Sequence, residues 1–196
     1  LSDNSFDALA AQNVMVNIED NDPPVITGCP ANISVSTAPG ACSAIVSWTP
    51  PVSTAPMTST HLPGSSFPAG ETTVIYTSTD ADGMVSTCSF TVTVNDNELP
   101  VVNCRNATVN LNASGNATIA QSDVLVSAPS DNCTIASVTL SRSAFTCADL
   151  GPVTVTVTVT DASGNTATCD AVVTVADPFT TALNAGPDAE ICTTQA

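Results

Sequence analysis

Two copies of one sequence pattern occur in this chain, and the repeat limits its possible folds more than any other feature. D-P-P-V-I at residues 22–26 returns as E-L-P-V-V at residues 98–102. T-D-A-D-G at residues 79–83 returns as T-D-A-S-G at residues 160–164. The offset is roughly 76 to 81 residues, which is enough for a small domain. The repeat therefore predicts two tandem modules rather than one large domain.

Alternation of apolar and polar residues predicts the structure within each copy. Residues Val153–Thr160 read V-T-V-T-V-T-V-T, and Phe90–Val94 read F-T-V-T-V. This period of two places alternate side chains on opposite faces of a strand, and β-branched residues suit such a pleated surface. Turn residues such as Pro39-Gly40 and Pro63-Gly64 separate the short strands. Many short strands with regular turns predict all-β sandwiches.

We divide the 196 residues into four segments on the basis of this repeat. Module 1 comprises residues 20–96 and module 2 comprises residues 97–177. Residues 1–19 are predicted to be the last strand of a preceding module, because N-V-M-V-N-I leads into an acidic junction. Residues 178–196 are predicted to begin a following module. The sequence is thus interpreted as a segment of a longer array.

The charge balance excludes several classes of function. There are 18 acidic residues against two basic ones, Arg105 and Arg142, so the net charge is −16. Nucleic-acid binding requires a cationic surface that this composition cannot supply. Attraction to anionic lipid through a polybasic patch fails for the same reason. No apolar run is long enough to predict a membrane span.

Eight dispersed cysteines indicate disulfides and an oxidising, extracellular location. A set of buried free thiols is the alternative. A zinc site lacks support, because there is no Cys-x-x-Cys pair and His61 is the only histidine.

The ordered motifs resemble the hyalin repeat (HYR) domain. In module 1 the matching elements are Cys29-Pro30, Cys42, Phe67–Thr79, Asp80–Gly83, Cys88 and Phe90–Asp96. Module 2 is similar to a variant, with Asp131–Cys133 and Asp161–Cys169, but it departs at Cys147. The resemblance implies tandem immunoglobulin-like β-sandwiches and extracellular work in adhesion.

The flanks resemble modules of giant surface adhesins of gliding bacteria. They are D-N-S-F-D at Asp3–Asp7 and A-G-P-D-A-E-I-C at Ala185–Cys192. This likeness implies a gliding-motility adhesin exported by the type IX pathway and displayed on the cell surface. The junctions also resemble cadherin linkers, which bind calcium between domains.

Sandwich topology predicts where the acidic residues meet. The loops between strands two and three and between strands six and seven return to the end where the chain enters a module. Acidic segments should therefore converge at each junction, and calcium prefers six to eight oxygen ligands. The predicted ligands are Glu19, Asp20, Asp22, Asp80 and Asp82 at the first junction, and Asp96, Glu98, Asp131 and Asp161 at the second. The alternative is that these residues only form Asx turns.

Strand order also suggests disulfides. The first and last strands of a sandwich can pair in parallel, which favours Cys29–Cys88 and Cys104–Cys169. Cys133–Cys147 then remains for module 2. For Cys42, both a buried free thiol and a bond to Cys29 stay open. Cys192 is expected to pair beyond this sequence.

Catalysis has little support in the sequence, so we expect no enzyme. A serine–histidine site would require His61, which lies in a Pro/Gly-rich segment without a counterpart in module 2. Trp48 and Tyr76 could serve as sugar platforms, but both lie on apolar strands and are predicted to pack in the core.

The predicted function is a structural stalk or adhesion segment, rigidified by calcium and disulfides. Its predicted partners are neighbouring modules and an extracellular surface; individual modules that bind a glycan or protein are the alternative.

Overall fold

The computed structural model describes residues 22–177 and Cys192, and every long element in it is a β-strand. Module 1 contains eight strands. They are β1 (Ile26–Thr27), β2 (Ile33–Ser36), β3 (Ser43–Val46), β4 (Val52–Ser53), β5 (Met57–Ser59), β6 (Ser65–Pro68), β7 (Gly70–Thr79) and β8 (Val85–Asn95).

Module 2 contains six strands and two short helical turns. The strands are β9 (Ala107–Asn110), β10 (Asn116–Thr118), β11 (Ile135–Leu140), β12 (Ala144–Thr146), β13 (Gly151–Asp161) and β14 (Thr166–Ala176). The turns are the helix α1 (Gln121–Val124) and a 3₁₀ turn at Cys147–Asp149. No helix in the described part of the chain is long and apolar enough to cross a membrane.

The two modules share one topology. Each has a four-stranded sheet, in the order β5-β7-β8-β2 in module 1 and β11-β13-β14-β9 in module 2. In each four-stranded sheet, the strand that comes first in the sequence pairs in parallel with the strand that comes last, β2 with β8 and β9 with β14. A two-stranded sheet, β3–β6 or β10–β12, covers the core face. The predicted all-β architecture of tandem sandwiches is therefore confirmed.

Each module has its own core, built from the apolar face of the alternating strands. Val155, Val157 and Val159 of β13 are fully buried, whereas the threonines between them lie on the opposite face. Phe67 on β6 and Phe145 on β12 lie at equivalent places in the two cores and are almost completely buried. Two separate clusters of this kind mean that each module can bury its own apolar surface.

Two of the three predicted disulfides are confirmed, and both occupy the entry end of their module. Cys29 is bonded to Cys88, and Cys104 is bonded to Cys169. Each bond lies just before the parallel pairing of the first and last strands, as strand order suggested.

The predicted Cys133–Cys147 disulfide is wrong. Cys133 precedes β11 at the entry end of module 2, whereas Cys147 follows β12 at the exit end, so the length of the sandwich separates them. Cys133 is bonded instead to Cys42 of module 1, and Cys147 is bonded to Cys192. Both alternatives considered for Cys42 are therefore wrong, and Cys192 pairs within the sequence rather than beyond it.

Candidate functional site: the junction between the modules

Three segments meet where module 1 ends and module 2 begins. Asp96 follows β8, the loop at 131–133 precedes β11, and the turn at 161–165 joins β13 to β14. A short connection of this kind places the last strand of module 1 directly against two loops of module 2. The convergence predicted from sandwich topology is therefore present at this junction.

Asp96 is the centre of the contact, because both modules donate hydrogen bonds to it. Its side chain is only 6% exposed. Oδ1 accepts from Thr37 Oγ1 of module 1 at 3.4 Å and from Asn132 Nδ2 of module 2 at 3.1 Å. Oδ2 accepts from Ser163 Oγ at 3.4 Å, and the backbone carbonyl accepts from Asn165 Nδ2 at 3.0 Å. A buried carboxylate with this many donors is satisfied without a cationic side chain.

Asp131 and Asn132 carry oxygens that have no donor. Oδ1 of Asp131 accepts from the backbone N–H of Cys133 at 2.9 Å, as in an Asx turn. Oδ2 of Asp131 and Oδ1 of Asn132 are buried and accept no hydrogen bond. Buried acceptors in native proteins nearly always have a partner, so these two oxygens require an explanation.

The Asp96 and Asp131 carboxylates are close enough to share one ion. An oxygen of each lies within 4.8 Å of the other, together with Sγ of Cys133. Two oxygens bound to the same calcium at about 2.4 Å can be at most about 5 Å apart, so the spacing fits. Cys133 cannot be a thiolate ligand, because its sulfur is bonded to Cys42.

Asp161 lies at the same junction, but its carboxylate accepts hydrogen bonds from residues of its own turn. Oδ1 accepts from the backbone N–H groups of Ser163 and Asn165, and Oδ2 accepts from Asn165 Nδ2 at 2.8 Å. Burial on its own raises the pKa of Asp161, but these donors outweigh burial and hold the pKa below its ordinary value. The alternative of an Asx turn therefore describes Asp161 better than a role as a metal ligand.

Glu98 lies on the module 1 side of the junction. Its Oε1 accepts from the backbone N–H of Gly40 at 2.8 Å, in the loop that also carries Cys42. Glu98 therefore fixes the linker to module 1, and its carboxylate is not part of the close set formed by Asp96, Asp131 and Cys133.

The entry end of module 1 shows a similar turn. Oδ1 of Asp80 accepts from the backbone N–H groups of Asp82 and Met84, while its Oδ2 is buried without a hydrogen bond. Asp82 and Asp22 are exposed. Glu19 and Asp20, the other predicted ligands there, lie outside the described residues.

The Cys42–Cys133 disulfide closes the junction covalently. Its Cα atoms are 4.8 Å apart, and Asn132, next to Cys133, donates through Nδ2 to the carbonyl of Ala41 at 3.1 Å. A cleft of about 630 Å³ opens beside this disulfide and reaches Asp96, Ser163 and Asn165. Of the two carboxylates, Asp96 lines this cleft.

Sequence reasoning missed this disulfide and the amides of Asn132 and Asn165. A signal for the disulfide existed, since Cys42 and Cys133 each lack a counterpart in the other copy. A cysteine without a counterpart inside its own repeat is a candidate for pairing between repeats.

The aromatic residues serve the core of module 1. Trp48 packs edge-on against Phe67 and Phe90 at ring distances of 5.9 and 5.2 Å, and its Nε1 donates to Tyr76 Oη at 2.8 Å. The expectation that Trp48 and Tyr76 pack in the core is confirmed. His61 is half-buried against Phe67, with its Nδ1 3.2 Å from Thr60 Oγ1.

Comparisons with known proteins give a family for module 1. Residues 19–94 match the family model of the HYR domain. Hyalin of Strongylocentrotus purpuratus is 37% identical over 89 residues, which are 42% of this chain and 7% of hyalin. The chain thus spans a small part of the length of this curated relative.

Several solved structures of cadherin or Ig modules are distantly similar. Domains 3–6 of protocadherin gamma B2 are 14% identical, over 80% of this chain and 52% of theirs, with a TM-score of 0.34. The human desmocollin-1 ectodomain is 13% identical, over 84% and 39%, with a TM-score of 0.30. The Ig1-2 module of the Drosophila receptor tyrosine phosphatase DLAR is 11% identical, over 79% and 100%, with a TM-score of 0.23. The match of residues 19–94 to the HYR domain identifies that stretch as an HYR domain, and together with the four disulfides of the chain it indicates an extracellular repeat of the adhesion type.

Proposed function

We propose that this chain is part of the stalk of a secreted, tandem-repeat adhesin, in which the junction between modules 1 and 2 is fixed by a disulfide and a divalent cation. The observation that carries the proposal is the Cys42–Cys133 bond beside the buried Asp96, because a stalk requires junctions that do not bend. Module 2 is proposed to be a divergent second HYR domain, and its six strands correspond to β2, β3 and β5–β8 of module 1. The chain is not proposed to catalyse a reaction.

We further propose that the array is displayed on the cell surface and serves gliding motility, on the basis of the likeness of the flanks. Asp3–Asp7 and Ala185–Cys192 resemble modules of such adhesins. The extracellular ligand would then be bound elsewhere in the array, while these modules set its distance from the cell.

Calcium is the proposed ion, and Asp96, Asp131 and Asn132 are its proposed side-chain ligands. Two of their oxygens are buried without a donor, and calcium accepts carboxylate and amide oxygens in a flexible geometry. Bound there, the ion would link the end of module 1 to the loop before β11. The charge also favours a cation, because the two arginines of the chain pair elsewhere: Arg142 with Asp149, and Arg105 with carbonyls of residues 122 and 123.

The first experiment measures thermal unfolding and small-angle scattering of the two-module chain with calcium and with excess chelator. Calcium should raise the unfolding midpoint by several degrees, because a ligand that binds only the folded state stabilises it. Asp131→Asn should abolish this rise, whereas Asp170→Asn should leave it unchanged, because Asp170 is exposed in the middle of β14. An unfolding midpoint of the wild type that is the same in calcium and in chelator would contradict the proposed calcium site.

Scattering from the same samples tests the stalk function independently of the calcium site. If the particle is a rod of the same length in calcium and in chelator, the stalk function stands and the disulfide alone fixes the junction. Variable angles between oxidised modules would contradict the stalk itself. Saturable binding of a glycan or protein by one isolated module would favour the alternative, in which modules act individually as binders.

A further inference from the structure

Disulfides and backbone form a continuous covalent route along the last strand of each module. From Cys29 the route crosses to Cys88, follows β8 and the junction to Cys104, crosses to Cys169 and continues to Cys192. It uses about 16 residues between Cys88 and Cys104 and about 23 between Cys169 and Cys192. We call this the last-strand route.

A second route uses the two disulfides that sequence reasoning did not anticipate. From Cys29 it follows the chain to Cys42, crosses to Cys133, follows the chain to Cys147 and crosses to Cys192. It uses about 13 residues in module 1 and about 14 in module 2, or about 27 in all. We call this the staple route, and between Cys29 and Cys192 it shares no disulfide with the last-strand route.

The positions of the bonds repeat between the modules. Cys29–Cys88 and Cys104–Cys169 each join the segment before the first strand of the four-stranded sheet, β2 or β9, to the last strand, β8 or β14, at the entry end. At the exit end, Cys42 directly precedes β3 and Cys147 directly follows β12.

The exit-end cysteines lie at matching places. Ser43 pairs with Pro68 at the end of the β3–β6 sheet, and Asn116 pairs with Thr146 at the end of the β10–β12 sheet. Each module therefore carries one internal bond at its entry and one outgoing bond at its exit.

We propose that the two routes act in parallel to make the module pair inextensible under tension. Cys29 and Cys192 are about 163 residues apart in sequence, yet the staple route limits their separation to about 27 extended residues, roughly 95 Å. The limit holds even if every hydrogen bond in both modules breaks, because it is covalent. The inference goes beyond a stalk function and stands on connectivity alone.

Single-molecule pulling of the oxidised full chain, with handles at its two ends, tests the proposal. The stretch from Cys29 to Cys192 should release no chain beyond the limit of about 27 residues. A reducing agent should release about 136 further residues, roughly 450–490 Å of contour length. Unreduced peptide mapping must find the four bonds, and a different connectivity would overturn the proposal.

Variants that remove selected bonds give an ordered series of lengths. Removing both internal bonds, with serine at Cys29, Cys88, Cys104 and Cys169, should leave the limit unchanged because the staple route is intact. Removing both outgoing bonds should add about 12 residues, roughly 40 Å, because the last-strand route takes over. Removing Cys29–Cys88 together with Cys42–Cys133 breaks both routes and should add about 71 residues, roughly 250 Å.

Unreduced peptide mapping of each variant must find its remaining bonds. Once those bonds have formed, the series remains readable even for a variant that unfolds, because the limit applies equally to an unfolded chain. The proposal is overturned if the oxidised wild type releases long segments. It is also overturned if loss of the two internal bonds alone lengthens the chain.

Discussion

At the scale of single residues, the junction depends on short polar side chains rather than on ion pairs. Asn132 and Asn165 each contact Asp96, and Asn165 also holds Asp161. An amide can donate to a carboxylate without a counter-charge, which suits a chain with two basic residues. The donors on Asp161 must therefore have a measurable effect on how stability depends on pH.

Asp161→Asn should reduce the acid sensitivity of module 2. The folded state lowers the pKa of Asp161, so this carboxylate stabilises the fold fully above its unfolded pKa of about 3.9 and loses that contribution as pH falls through the folded pKa. At neutral pH the variant should lose about 1–3 kcal/mol, because its amide faces N–H donors. Urea unfolding at about pH 7 and about pH 3 should show a smaller difference for the variant than for the wild type.

Asp170→Asn is the matched control for this prediction. Asp170 is exposed and accepts from Thr156 Oγ1, and it lies away from the junction. Its removal should leave the difference between the two pH values unchanged. Equal differences for the wild type and Asp161→Asn would contradict the prediction.

At the scale of elements, the long strands were predictable and the short ones were not. β13 and β8 carry unbroken alternation, and their inward residues are the core. β1, β4 and α1 have two to four residues each, too few for a period to show. Their conformation depends on contacts such as the pairing of Ile26 with Ser53, which lie far apart in sequence.

Exchanges between valine and threonine should have unequal effects on stability at the two faces of β13. Val157→Thr places a hydroxyl in a fully buried position without a partner, so it should cost about 1–3 kcal/mol. Thr154→Val, on the exposed face of the same strand, should change the free energy of unfolding by less than about 0.5 kcal/mol. Chemical denaturation of both variants measures the difference, and equal effects would contradict the proposed sidedness of the strand.

At the scale of the whole molecule, the modules fold around separate cores but do not pair all their cysteines internally. Each module has a separate core, yet two of the four disulfides connect a module to the next segment of the chain. Assigning cysteines by elimination inside module 2 failed for this reason, although strand order correctly assigned the two entry-end bonds. The convergence of Asp96 with Asp131 was predictable, because it needs only the order of strands in a sandwich.

Because the Cys42–Cys133 bond and the proposed ion act on one junction, their effects should be coupled. In the oxidised wild type the disulfide holds the modules together, so chelator should change the scattering profile little. With serine at Cys42 and Cys133, the ion becomes the main restraint, and chelator should broaden the distribution of maximum dimensions markedly. Loss of the bond should itself lower stability by about 2–4 kcal/mol, since it no longer restricts the unfolded chain.

Serine at Cys147 and Cys192 provides the control, because that bond lies at the exit end of module 2 and away from Asp96. This variant should respond to chelator as the wild type does. If the variant without Cys42–Cys133 also keeps its dimensions in chelator, hydrogen bonds to Asp96 alone suffice to hold the modules in line. The coupling would then be absent, and the junction would owe its rigidity to the amides of Asn132 and Asn165 rather than to calcium.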